Sequence, residues 1–179
     1  MPSELNSGEP TENQPSVAWI FSRVAKEIPA RLLMVGDGPD RSSAEWLVNS
    51  KGLQSRVQFL GKQERVHELL PVADLMIMPS ELESFGLAAL EAMACKVPTI
   101  ATRVGGVSEL IEDGVTGRLF AVGDVAAMAI AAVELLSDED RLHAMGDAGR
   151  RAAQDRYCAS RIIPIYEQYY EKVLARAEV

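Results

Sequence analysis

Two carboxylates, Glu83 and Glu91, stand eight residues apart on either side of a glycine in Pro79-Ser-Glu-Leu-Glu-Ser-Phe-Gly-Leu-Ala-Ala-Leu-Glu91. A buried-type strand, Leu75–Met78, leads through a polar loop into a helix predicted over Phe85–Ala94. Ser84 is placed to cap that helix, and Gly86 removes the side chain that would hold a ligand away from its first turn. The opening amides of a helix have no intrahelical acceptors and lie at the positive end of its dipole, so phosphate suits them. Carboxylates repel phosphate. Their use beside one is to accept hydrogen bonds from hydroxyls, such as those of a ribose or a hexose. A plain capped helix competes with this reading, with Glu83 favouring the N-terminus and Glu91 facing water. The apolar run around Glu91, Leu87-Ala-Ala-Leu-Glu-Ala-Met-Ala94, weighs against dismissing it.

The elements that must position these groups alternate along the chain. Apolar spacing predicts a helix over Val17–Ile28, a strand at Arg31–Val35, a helix at Ser42–Asn49 and a strand at Val57–Leu60. A helical segment at Glu64–Leu70 precedes Leu75–Met78. Beyond the central helix come a strand at Thr99–Ala101, a short helix at Val107–Ile111 and a last strand at Arg118–Phe120. Asp124 is placed to cap Val125–Leu136, and Ser137-Asp-Glu-Asp140 has the spacing of a capping box for a helix to about Ala153. A final helix over Ser160–Ala177 carries Pro164 near its start. Residues 1–15 are polar and without apolar periodicity, which predicts a flexible arm.

Strands alternating with helices at this spacing predict an α/β fold with a doubly wound, mostly parallel sheet over residues 16–179. Ligands in such sheets bind beyond the carboxyl ends of the strands. Three segments fall there: Gly36-Asp-Gly-Pro39, Gly61-Lys62-Gln63 and the Pro79–Leu87 loop.

Composition narrows the classes. The 179 residues carry 26 acidic and 18 basic side chains, a net charge of −8, so no basic surplus serves nucleic acid or an anionic membrane. No apolar run is long enough for a membrane span, and the N-terminus has no secretory pattern, so a cytoplasmic protein is expected. Two cysteines and two histidines make neither a disulfide framework nor a convincing zinc site. His67, His143 and Cys95 read as structural, and turn chemistry explains Asp37.

The series LLMVGDGP, VQFLGK and PSELESFGLAALEAMACKVPTIATRVGGVSELIEDGVTGRLF resembles the donor-binding domain of family 4 retaining glycosyltransferases, the carboxyl-terminal, Rossmann-like domain of the GT-B fold. The likeness runs from about Val17 to the end, and its wording is nearest the N-acetylglucosaminyl-L-malate synthase branch. The resemblance implies a uridine-diphosphate sugar as substrate, the N-acetylglucosamine form being the expected one, with no metal or cofactor. Glu91 would bind the ribose and Glu83 the donor sugar. Ser84, Phe85, Gly86 and Leu87 would hold the diphosphate. Gly36, Gly38, Gly61 and Lys62 would line the base and nucleotide loops, with Arg103 to Gly106 a weaker candidate. Catalytic residues are not assigned.

Measured against that family, parts are missing. Its opening strand and the cations of its N-F-R-x-x-K-R pattern fall where this chain has Gly8 to Ser16, and Arg23 and Lys26 lie within the first helix. An acceptor-binding domain finds no room upstream of Val17. The 179 residues are therefore expected to bind nucleotide weakly and to transfer nothing alone. A missing central strand would leave two buried strands with open edges, and self-association through an edge or through the final helix would cover them. A non-catalytic fragment or cassette protein that binds itself or a partner is the alternative class. A flavodoxin-type nucleotide binder is a third, which leaves Glu83 and Glu91 without a role.

Overall fold

The computed structural model describes residues 16–177. The arm expected over residues 1–15 lies outside them. Helix α1 (Ser16–Glu27) leads to strand β1 (Leu32–Val35), then α2 (Arg41–Ser50) and β2 (Val57–Gly61). After α3 (Val66–Leu69) and a single 3-10 turn at Leu70–Val72 come β3 (Met76–Met78), α4 (Leu87–Ala94), β4 (Thr99–Thr102), α5 (Val107–Leu110) and β5 (Gly117–Phe120). Helices α6 (Val125–Leu136), α7 (Glu139–Tyr157) and α8 (Ala159–Ala177) complete the chain. The expected order of elements holds throughout.

Every strand pairing is parallel, and the sheet is in two pieces: β1 with β2, and β3–β4–β5. Among the described residues no strand joins β1 to β3. Both pieces rest on one apolar layer. Met34, Phe59, Ile77 and Ile100 pack with Trp19, Ile20 and Val24 of α1, Leu47 of α2, and Met128 and Leu135 of α6. The opposite face of the larger piece, Met78, Ala101 and Leu119, packs on Ala89, Met93, Val107, Leu110 and Ala153 of α4, α5 and α7. Helices on both faces make the larger piece doubly wound. The outer face of β1 lacks such a cover, and Leu33 and Val35 are exposed there.

Several boundaries differ from expectation for local reasons. The box predicted at Ser137 is displaced by one residue. Ser137 closes α6, and the Asp138 side chain accepts from the Arg141 amide, 3.0 Å, to open α7, which runs on to Tyr157. The predicted Glu64–Leu70 helix is only α3, because Pro71 sits in the first positions of the 3-10 turn and ends the α-helical ladder. Pro164 falls in the second turn of α8, near its start as expected. Asp124 caps α6 as expected, accepting from Ala127.

One anchor was not legible at all. The Arg56 guanidinium donates to the carbonyls of Ala25 (2.7 Å), Ile28 (2.6 Å) and Ala30 (2.9 Å), so a side chain just before β2 satisfies the end of α1. At the centre, β4 is buried along its whole length, and the Thr99 hydroxyl finds no partner among the described residues. An orphaned buried hydroxyl is destabilising, and valine has nearly the same shape. Thr99→Val should therefore raise stability by roughly 1 kcal/mol, read as a higher urea midpoint. An unchanged or lowered midpoint would show the hydroxyl to be satisfied.

Candidate functional site

The parallel strands bring their carboxyl ends to one edge, and the predicted site residues lie along it. At the β1–β2 end, the Gly36 amide donates to the Gly61 carbonyl, 2.8 Å, where the pairing register slips between Met34 and Val35. Gly36 takes φ of 118°, which only glycine adopts readily. Gly38 differs: a Cβ there meets nothing within 4 Å and its backbone is ordinary, so neither packing nor conformation calls for glycine. The Asp37 carboxylate accepts from the Gly38 amide, 3.0 Å, as turn chemistry predicts. Arg41, whose guanidinium is bonded to Glu45 at 2.9 Å, lies over the Phe59 ring. The Glu45 hydrogen bond holds Arg41 above its ordinary pKa. An open cleft of about 430 Å³ borders this end, lined by Lys62, Gln63, Glu64, Arg65, Glu68 and Leu69.

At the β3 end the loop from Pro79 to Gly86 delivers the two carboxylates. Helix α4 begins at Leu87, not Phe85, because Gly86 takes the left-handed conformation (φ 88°, ψ 42°). Ser84 is thus not its cap, correcting the sequence reading. Gly86 is the N-cap residue and no side chain caps the helix; the Glu83 Oε1 accepts from the Gly86 amide at 3.2 Å, just before the first turn. That engages one of the amides expected to face phosphate. The Leu90 amide makes the first intrahelical bond, to Gly86, so Leu87, Ala88 and Ala89 donate to no carbonyl within the helix. Ala89 is fully buried, which leaves Leu87 and Ala88 at the surface of the opening turn. Glu91 is exposed one turn beyond Leu87 on the same helical face, and Glu83 is half-buried beneath the loop.

Arg103, the weaker candidate, is committed elsewhere. It approaches Asp113 at 3.5 Å, a carboxylate that also receives Arg118 (3.2 Å) and the Leu119 amide (3.0 Å). Arg23 lies over the Trp19 ring within α1, and the Gly8–Pro15 stretch lies outside the described residues. Among the described residues no group of three or more His, Cys, Asp or Glu stands together as a metal site, and no helix is long and apolar enough to cross a membrane.

Residues 6–152 match the family model described as glycosyl transferases group 1. The chain belongs to that family. It is 46% identical over 158 residues to the N-acetyl-alpha-D-glucosaminyl L-malate synthase of Bacillus anthracis, covering 88% of this chain and 42% of that protein. Among solved structures, Anabaena Alr3699/HepE in complex with UDP-glucose superposes with a TM-score of 0.78 at 25% identity, over 93% of this chain and 47% of that one. The C-terminal domain of a glycosyl transferase group 1 family protein (LpcC) from Francisella tularensis shares the fold, with a TM-score of 0.72 at 24% identity, over 84% and 83% of the two chains. The chain thus spans less than half the length of the full-length relatives named here. The fold expected from the motifs, a Rossmann-like GT-B domain with C-terminal helices, is the one observed.

Proposed function

We propose that these 179 residues are the donor-binding domain of a retaining glycosyltransferase that takes a uridine-diphosphate sugar, the N-acetylglucosamine form first, in the cytoplasm. The observation that carries this reading is the carboxyl edge itself. Free amides at the opening of α4 lie between two carboxylates, and glycine loops stand at the ends of the neighbouring strands. The diphosphate lies against the Leu87 and Ala88 amides, with Glu91 accepting from ribose hydroxyls. Glu83, held by the Gly86 amide, keeps its second oxygen for the donor sugar. Gly36, Gly38, Gly61 and Lys62 take the base side, which supplies the missing reason for glycine at position 38.

In such a site the amides stabilise charge as the diphosphate departs, an electrostatic role that needs no proton transfer. The described residues supply the donor half of a reaction centre and no recognisable acceptor pocket. Nucleotide binding without transfer is the expected behaviour of the chain alone. The Bacillus anthracis relative, named for an N-acetylglucosaminyl product, supports the choice of sugar.

Calorimetric titration with UDP tests the reading. The unmodified chain should bind, and Glu91→Ala should weaken binding roughly tenfold by removing charge-assisted hydrogen bonds to the ribose. Gly38→Val should weaken it at unchanged melting temperature, since that position is open in the fold. No binding by the unmodified chain would contradict the proposal and favour a non-catalytic module.

A second reading is compatible with the first and rests on α8. Ile163, Tyr166, Tyr170 and Val173 follow a heptad-like spacing along one face, and all are about half exposed, between 45% and 61%. We infer that two copies associate through α8. Sedimentation velocity should then show a dimer at micromolar concentration that Tyr170→Glu converts to monomer. A monomeric unmodified chain would overturn this.

A further inference from the structure

The loop bearing Glu83 is seated almost wholly on one neighbouring turn. A Cβ on Gly105 would lie 1.7 Å from the Glu83 carbonyl oxygen, against 3.4 Å or more for ordinary contact. On Gly106 it would lie 2.9 Å from both the Phe85 Cα and the Ser84 carbonyl oxygen. The Gly106 amide donates to that carbonyl at 3.0 Å, and the Thr102 hydroxyl donates to the Ser80 carbonyl. Gly86 closes the seat, where a Cβ would meet Val107 Cγ2 at 3.0 Å and Leu110 Cδ1 at 3.2 Å. On its outer side Leu82 is 90% exposed, and the Phe85 ring meets the Tyr157 ring edge-on.

We propose that the Arg103–Gly106 turn is the positioning element of the candidate donor site, setting the Glu83 carboxylate and the opening amides of α4 by backbone contact. This rests on the donor-site reading above. The turn acts through the Glu83 loop and need not touch the ligand. Any side chain at position 105 displaces that loop by more than an ångström, because the obstacle is a backbone carbonyl and not a flexible side-chain end. Displacements of that size at a binding or reacting centre cost one to two orders of magnitude. The base side, at Gly36 and Gly61, stands on other strands and is not displaced. The loss should therefore fall on the diphosphate and sugar and spare the nucleoside.

Four variants of the full chain separate this from a general loss of structure. Gly105→Ala and Thr102→Val unseat the loop, and Thr102→Ser keeps the hydroxyl. Gly114→Ala imposes a comparable positive-φ strain (φ 81°) in open space. Titration with UDP and with uridine, alongside amide hydrogen exchange over Ser80–Gly86, provides two readouts. The proposal expects Gly105→Ala to weaken UDP by roughly tenfold or more while uridine stays within about twofold. Exchange over Ser80–Gly86 should accelerate in Gly105→Ala and Thr102→Val, but in neither Thr102→Ser nor Gly114→Ala. Wild-type exchange and wild-type UDP affinity in Gly105→Ala would overturn it. If the unmodified chain binds no UDP, the donor-site reading fails, and exchange alone decides whether the turn holds the loop.

Discussion

The parallel register of β3 on β4 is the constraint from which the rest of the site follows. Met76 pairs with Thr99, Ile77 with Ile100 and Met78 with Ala101, so both strands end together and release their loops side by side. Because β4 is buried along its length, neither loop can slide without exposing apolar surface. One of them carries Glu83 into the opening of α4. The other carries two consecutive glycines that let the backbones touch. Its geometry is set by strand pairing, by the lack of Cβ atoms and by the Thr102 hydroxyl on the Ser80 carbonyl.

Electrostatics adds a second constraint. The chain is acidic by eight charges, and the site displays two carboxylates. Arg103 and Arg118 are engaged with Asp113, and Arg41 with Glu45. Exposed pairs of this kind are individually weak, but each holds its guanidinium in place. In the donor site proposed above, charge compensation for a diphosphate would fall chiefly on the helix-opening amides, whose dipole supplies about half a charge. Such a site recognises hydroxyls and phosphate geometry more than it attracts anions from a distance.

Most of the architecture was legible in the sequence because alternating apolar runs and helical stripes report burial directly. The parallel sheet, the order of elements and the edge bearing the site all came from that alternation. Residue spacing could not show the sign of φ at Gly86, so the helix start was set too early at Phe85 and the capping position went to Ser84 instead of Gly86. Contacts between distant segments were invisible for the same reason. Nothing local to Arg56 announces three carbonyls from the end of α1, and nothing local to Gly105 announces the Glu83 backbone. The apolar side chains of α8 were readable, but how far they stand exposed was decided only by the fold.

In the proposed site the carboxyl edge of this sheet holds a nucleoside diphosphate across two strand ends and one helix opening. Amide chemical-shift mapping during a UDP titration tests it most directly. Perturbations should gather at Gly36, Gly38, Gly61, Leu87 and Ala88, leaving α7 and α8 unmoved. Shifts confined to other surfaces, or none at saturating UDP, would contradict it.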